Sequence, residues 1–544
     1  MTSSAAPFRP SDFQLPLPTD QLIRAEAPGE DALAMDVLIV GGGPAGLACA
    51  IRLKQLNPDL EVGVLEKAAD LGGHCLSGAV INPVALQQLF PDRAISQLPL
   101  RNAVEADSVY LMTPNGQIRI PTPPTMHNTG NYVASICEVV QWMGKEAEAL
   151  GVNLFPGYPA DALLVDGDTV IGARTTPTGL DRRGVPGSNY SPPTDVSARV
   201  TVLAEGTRGP LSQAWINWQA AEGPNPQIYA LGVKEIWEVD HVPTGVIHTL
   251  GWPLPRDVFG GSFLYPMSDH MVAFGLVVGL DGRPADVDVH ALLQRLKAHP
   301  LFDQYLHHGK LVEWGAKTIP EGGYYSIPKR LHGHGLLLVG DAAGLVNVPS
   351  LKGIHYAMQS GIYAAETIAA GLANDDATAR ALHHYDHRIR ESYITEDLWR
   401  TRNMRLAFKQ GFLMGGALST MMILTNGRFP GWQFKVEPDA GDLRNPRIRS
   451  ARPMPAGSLS KLDAVFHAGN ATRDDVPPHV HAGPAIPPEV ADFYAAICPA
   501  GVYERHADSL VINAPNCVDC KATDVVGPRW SPREGGSGPQ YKRM

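Results

Sequence analysis

Asp36-Val-Leu-Ile-Val40 is a short apolar run of the kind that forms a strand buried on both faces of a parallel sheet. Pro44 to Gln55 then reads as a helix and Val62 to Leu65 as a second buried strand. Together they make one βαβ unit, the start of a doubly wound sheet. Val200 to Ala204 and Leu336 to Val339 are two more buried-strand candidates. Between them, Ser262 to Tyr265 and Met271 to Val278 flank a Met-Ser-Asp-His turn and predict an antiparallel hairpin. A helical stretch is expected from about Ile354 to Ala407, and Pro430 to Pro487, rich in Pro, Gly and charge, as loops wrapping back over the body. The first 30 residues, rich in Pro and Ser near their start, are expected to be a mobile arm.

The strand ends carry the first chemistry. Gly41-Gly-Gly-Pro-Ala-Gly46 follows a strand and opens a helix. Gly41 suits the tight turn, Gly43 a close approach to pyrophosphate, and Gly46 close helix packing, with phosphate charge at the helix N-terminus. Glu66 ends the next strand, where a carboxylate accepts hydrogen bonds from ribose hydroxyls. Gly340-Asp341 stands at a second strand-to-helix turn, placed to accept from a ribityl chain. Simple NAD dehydrogenases lack that second element, so the pair argues for FAD. Glu205-Gly206 could form a third edge of the same site.

Composition narrows the partners. The 544 residues, 44% apolar and 18% charged, suffice for two to four domains of about 100–200 residues. A net charge of −10 repels phosphate backbones, so no nucleic acid is expected. Six cysteines are too sparse for a secreted disulfide framework, and three fall near the C-terminus as Cys498-Pro-Ala-Gly and Cys517-Val-Asp-Cys520. This spacing admits an iron–sulfur cluster, or a zinc site completed by His506. Gly411 to Leu424 carries no charge over fourteen residues. It is too short to span a bilayer and suits an interfacial or a core helix; Arg402, Arg405, Lys409, Arg428 and Trp432 flank it. His383, His384 and His387 read as a solvated helix face, and His479 with His481 as loop residues.

Several stretches resemble the electron-transfer flavoprotein–ubiquinone oxidoreductases: residues 41–47, Gly-Gly-His-Cys-Leu-Ser-Gly-Ala at 72–79, Gly-Trp-Pro-Leu at 251–254, Gly-Gly-Ser-Phe-Leu-Tyr at 260–265, and Asn-Val-Pro-Ser-Leu-Lys-Gly at 347–353. The tail adds Cys-Pro-Ala-Gly-Val-Tyr-Glu at 498–504, Asn-Cys-Val-Asp-Cys-Lys at 516–521 and Glu-Gly-Gly-Ser-Gly-Pro-Gln-Tyr at 534–541. The resemblance implies a monotopic oxidoreductase, peripheral on the inner membrane, at the cytoplasmic face in a bacterium or the matrix face in a mitochondrion. It would pass electrons from reduced electron-transfer flavoprotein to ubiquinone through FAD and a 4Fe-4S cluster, feeding the respiratory chain with no acid, base or nucleophile. Gly260 and Gly261 correspond to quinone-contacting glycines, and Ser77 to Leu98 and Gly411 to Leu424 fall where the family dips into the bilayer. Cys498, Cys517 and Cys520 correspond to cluster ligands. Where the family has its fourth cysteine this chain has Thr523, after Ala522. That leaves open a cluster with a non-thiolate ligand, a 3Fe-4S cluster or none, with Asp519 and Asp524 as substitute ligands.

The expected fold is α/β (α+β overall). A discontinuous FAD-binding domain covers 34–215 and 316–405, and an inserted antiparallel-sheet quinone domain covers 216–315. A membrane-interface segment spans 406–432, and a small ferredoxin-like iron–sulfur domain spans 433–544. The competing readings are an FAD-dependent reductase of the geranylgeranyl reductase kind acting on a lipid-like substrate, and a membrane-anchored docking protein without electron transfer.

Overall fold

The first expected strand forms as Leu33–Val40, the helix as Pro44–Leu56 and the next strand as Val62–Glu66. The computed structural model describes residues 6–447, 454–507 and 509–544. Leu33–Val40 lies between Asp195–Leu203 and Val62–Glu66, parallel to both, and Asn153–Pro156 continues the sheet beyond Val62–Glu66. Leu336–Leu338 runs parallel to Asp195–Leu203, so the two Gly-plus-acid turns emerge at one end of one sheet. Helix Pro44–Leu56 packs against Ile354–Leu372 closely enough that a Cβ on Gly361 would stand 2.2 Å from the Ala45 carbonyl oxygen.

The second sheet has seven strands in the order Lys310–Pro320, Tyr229–Glu238, Met271–Gly279, Gly260–Ser268, Val246–Gly251, Asp107–Thr113, Gly116–Ile120. The expected hairpin is there, but two expectations change. Asp107–Thr113 and Gly116–Ile120, assigned by sequence to the flavin domain, belong to this sheet, and Asp107–Thr113 pairs parallel with Val246–Gly251. Val104 and Met112 bury in its core, which draws the segment across. The sheet is thus antiparallel with one parallel pair.

Residues 1–5 of the N-terminal arm lie outside the described residues; from residue 6 on the arm is packed, not loose. Ile23–Arg24 adds a strand beside Ala160–Asp166, Phe8 is buried, and Gln14 Nε2 donates to the carbonyls of Asp524 and Gly527, 2.9 Å each. The expected helical stretch forms as four helices, Ile354–Leu372, Ala379–Glu391, Tyr393–Thr401 and Met404–Ala407. Asp375, at φ 52°, makes the first break, and Ser392 Oγ restarts the chain by accepting from Ile394 N–H.

Among the described residues, the C-terminal segment shares its core with the second sheet. Cys498, Cys517, Cys520, Tyr494 and Trp530 bury in the same cluster as Leu231, Phe274 and Trp314 of the second sheet.

Candidate functional site

At the shared end of the first sheet opens a cavity of about 370 Å³, lined by Gly41, Gly43, Glu66, Asp341, Glu205 and strand residues 232–234 and 317–319 of the second sheet. Gly41 has φ 112°, and a Cβ there would lie 2.3 Å from the Ala204 carbonyl oxygen. Gly46 backs onto the Gly41 carbonyl, where a Cβ would sit 2.1 Å away, whereas Gly43 has open space in front of it. The loop is therefore tight behind and open toward the cavity, as a pyrophosphate at a helix N-terminus requires. Glu66 accepts from Gly42 N–H and Ala68 N–H, 2.8 Å each, which fixes its carboxylate at the rim. Burial raises the Asp341 carboxyl to about 6, opposed by the Thr207 hydroxyl at 3.5 Å. Gly340, at φ 62°, turns the chain so that Asp341 faces the cavity. These features, spread over three strand ends, fit a dinucleotide with a ribityl arm. Glu205 is different. Its carboxylate accepts from Ser212 N–H and Oγ, 2.6 Å each, and so caps the helix Pro210–Trp218.

Four further cavity residues were not singled out as site residues by the sequence. Lys234 Nζ donates to the Ser77 carbonyl at 2.8 Å, and Lys352 Nζ to Asn128 Oδ1 at 2.5 Å; burial lowers both to about 8. His74 and Lys317 complete the set on the side toward the cysteines. Lys234 and Lys317 are single polar residues on strands, without spacing to mark them, whereas His74 and Lys352 fall inside the family-like stretches 72–79 and 347–353. Gly260 and Gly261 stand on the strand that brings Phe263 and Tyr265 to the cavity wall. A Cβ on either would strike a neighbouring strand carbonyl, at 2.1 and 2.5 Å.

Cys498, Cys517, Cys520, Thr523 and Tyr503 line a second cavity of about 20 Å³. The thiols are buried, form no disulfide among the described residues, and are pushed up by burial, Cys517 to about 12. All three line the same small cavity. Such a donor set suits a metal centre, whose charge would favour the thiolates that bind it. The candidate substitutes fare less well. His506 is exposed and turned to Glu504 at 3.3 Å, which removes it from a zinc set. Asp524 is held by Arg208 at 2.8 Å and Trp530 N–H at 3.1 Å, and Asp519 by Arg533 at 2.7 Å and Lys67 at 2.9 Å. His479, read as a loop residue, is buried instead; neither ring nitrogen has a partner among the described residues. One of them lies within 4.8 Å of Cys517 Sγ and of the Asp519 carboxylate.

The two cavities share a wall. Lys521 and Trp530 line both. Thr318 N–H donates to the Cys520 carbonyl at 2.9 Å, and Lys317 Nζ to the Asp519 carbonyl at 3.3 Å. The strand that walls the large cavity is thus hydrogen-bonded directly to the cysteine turn.

Helix Phe412–Leu424 presents Leu413 (85% exposed), Leu424 (75%) and Met414 to solvent, beside Trp432. Among the described residues no helix is long and apolar enough to cross a membrane. Two of the flanking cations are spent inward: Arg405 on Asp281 and Glu321, Arg402 on the Tyr325 hydroxyl and the Gly427 carbonyl. The stretch Ser77 to Leu98 is mixed: Ile81, Leu86 and Leu89 bury in the first core, while Val84, Gln87 and Gln88 are exposed.

Family models match three parts of the chain: an NAD(P)-binding Rossmann-like domain at 39–89, the ubiquinone-binding domain of electron-transfer flavoprotein–ubiquinone oxidoreductase at 229–319, and that family's 4Fe-4S domain at 458–542. The mitochondrial electron-transfer flavoprotein–ubiquinone oxidoreductase of Arabidopsis thaliana is 40% identical, over 97% of this chain and 87% of its own. Its namesake from Pseudomonas aeruginosa is 36% identical over 94% and 99%. A solved geranylgeranyl bacteriochlorophyll reductase-like protein from Thermoplasma acidophilum aligns at TM-score 0.56 and 20% identity, over 73% of this chain and 96% of that one, a likeness of fold alone.

Proposed function

The chain belongs to the electron-transfer flavoprotein–ubiquinone oxidoreductase family, and on that premise we propose which of its residues do the family's work. It is an oxidoreductase that moves electrons from reduced electron-transfer flavoprotein to ubiquinone with FAD and a 4Fe-4S cluster. Gly41, Gly43 and Gly46 hold the FAD pyrophosphate against the helix N-terminus, Glu66 the ribose, and Gly340 with Asp341 the ribityl chain. Bound FAD supplies steps of one and of two electrons, which a quinone and a one-electron centre both need. Lys234 and Lys352 bring positive charge to the same cavity, favouring added electrons there. Cys498, Cys517 and Cys520 hold the cluster. Gly260 and Gly261 keep the strand backbone bare for quinone, and residues 406–432 rest the molecule on the inner membrane as a peripheral, monotopic protein. The face would be cytoplasmic in a bacterium and matrix in a mitochondrion.

The observation that carries this reading is the wall common to both cavities, with Thr318 bonded to Cys520, because electron transfer demands short distances between centres. The geranylgeranyl-reductase reading keeps only a likeness of fold. A steady-state assay with reduced electron-transfer flavoprotein and either a short-chain ubiquinone or a geranylgeranyl lipid decides between them: quinone should be reduced and the lipid should not. Leu413→Glu with Leu424→Glu should move the folded protein from membrane pellet to supernatant, since each charge costs about 1 kcal/mol or more at the interface. A folded double variant that stays in the pellet assigns the anchor elsewhere.

A further inference from the structure

Three thiols line the cysteine pocket, one fewer than the irons of a four-iron cluster. Of the residues lining it, Thr523 and Tyr503 are the other side chains with an oxygen donor, and Lys521 lies with its ammonium over the Trp530 ring; the rival donor is His479, with a ring nitrogen within 4.8 Å of Cys517 Sγ. Thr523 Oγ1 and Tyr503 Oη are 3.0 Å apart, so one donates to the other and the pair is fixed in the cavity wall. Thr523 is the second residue of the last short helix, Ala522–Val526, three positions after Cys520, and lines the same small cavity as the thiols. Asp519 and Asp524 are each engaged by arginine, and His506 is on the outside.

We propose that the cluster in this chain is site-differentiated: Cys498, Cys517 and Cys520 hold three irons, and the fourth meets the Thr523 hydroxyl, oriented by Tyr503, in place of a thiolate. This rests on the three-thiolate reading above. A neutral hydroxyl is a weaker ligand for iron than a thiolate, so the fourth iron exchanges while the other three stay. It also removes one negative charge from the ligand set, which raises the cluster's potential relative to a four-thiolate form. The fourth iron is then a site for a small exogenous donor, a thiol or a hydroxide, that the other three do not offer.

The test uses the full-length protein, purified anaerobically, as wild type, Thr523→Cys, Thr523→Val and His479→Gln. Iron and acid-labile sulfide are measured, and EPR is recorded before and after ferricyanide. In wild type, ferricyanide takes one electron, one iron leaves as Fe(II), and three irons with all four sulfides remain, giving the signal of a three-iron cluster. Thr523→Cys should keep all four irons under the same treatment and titrate at a lower potential. Thr523→Val should purify with the three-iron cluster already formed, and His479→Gln should behave as wild type. The inference is overturned if wild type resists ferricyanide as well as Thr523→Cys does. It is also overturned if His479→Gln loses the fourth iron while Thr523→Val keeps it, which would make His479 the ligand. Absence of iron and sulfide from both wild type and Thr523→Cys would overturn the three-thiolate reading itself.

Discussion

The flavin cavity and the cysteine pocket share a wall but are built in opposite ways. Around the large cavity the shape is set mainly by backbone: a glycine turn that admits no Cβ behind it, a helix N-terminus, and a carboxylate held by two N–H groups. Around the small one, the pocket is made of side chains set in a core shared with the second sheet. A site made of backbone tolerates exchange of its polar side chains and resists any change that moves the chain. A site made of side chains fails when one is removed.

The largest effect should follow from Cys520→Ala. It is expected to abolish cluster iron and sulfide while the flavin absorbance per protein stays at the wild-type value. Loss of both cofactors together would show that the two sites do not fold separately.

Arg208 tests the seam between them, since it crosses from the flavin sheet to Asp524 of the cysteine segment. Removing one partner of a buried pair costs about 3–5 kcal/mol. Arg529, 3.8 Å from the same carboxylate, should hold Arg208→Met near about 3 kcal/mol in urea unfolding. A change under about 1 kcal/mol would mean that the seam is held by packing alone.

Gly41→Ala should cost about 1–3 kcal/mol in backbone strain and lower FAD content sharply, since both φ and the Ala204 carbonyl oppose a Cβ. Normal flavin retention would contradict a backbone-built site.

The smallest effect is assigned to a side chain. Asp341→Ala should weaken FAD binding by about 0.5–1.5 kcal/mol, read by fluorescence titration of apoprotein. The pH dependence carries a definite sign. Burial raises the Asp341 carboxyl, so folding binds its proton more tightly than the unfolded chain does. Its contribution to apoprotein stability is therefore full below the ordinary carboxylate range and is lost as pH rises through about 6. Ribityl hydroxyls would donate to the ionised form, so FAD affinity should fall as pH drops below about 6, by up to about tenfold per unit. Asp341→Asn should flatten that slope.

The same contrast explains what could be read along the chain. Gly41 to Glu66 and Gly340-Asp341 were legible because each motif is local, a strand and the turn that ends it. The three cysteines were legible as a cluster of thiols, but not their surroundings: His479 and Lys317 come to the Cys517–Cys520 turn from distant segments, and single residues carry no period. Asp107–Ile120 joined the wrong domain on paper because its partner, Val246–Gly251, is more than a hundred residues away, and parallel pairing leaves no turn signal. The arm was misread because its composition is that of a linker, whereas Phe8 and the Gln14 amide anchor it.

The central claim is that electrons enter and leave through centres set on either side of one wall. Anaerobic stopped-flow mixing with reduced electron-transfer flavoprotein, followed by a short-chain ubiquinone, tests it most directly. The account predicts that the bound-flavin absorbance bleaches on the first mixing and returns on the second, with one quinol formed per electron pair. Bound flavin that stays oxidised beside the reduced carrier, or stays bleached beside quinone, would contradict it.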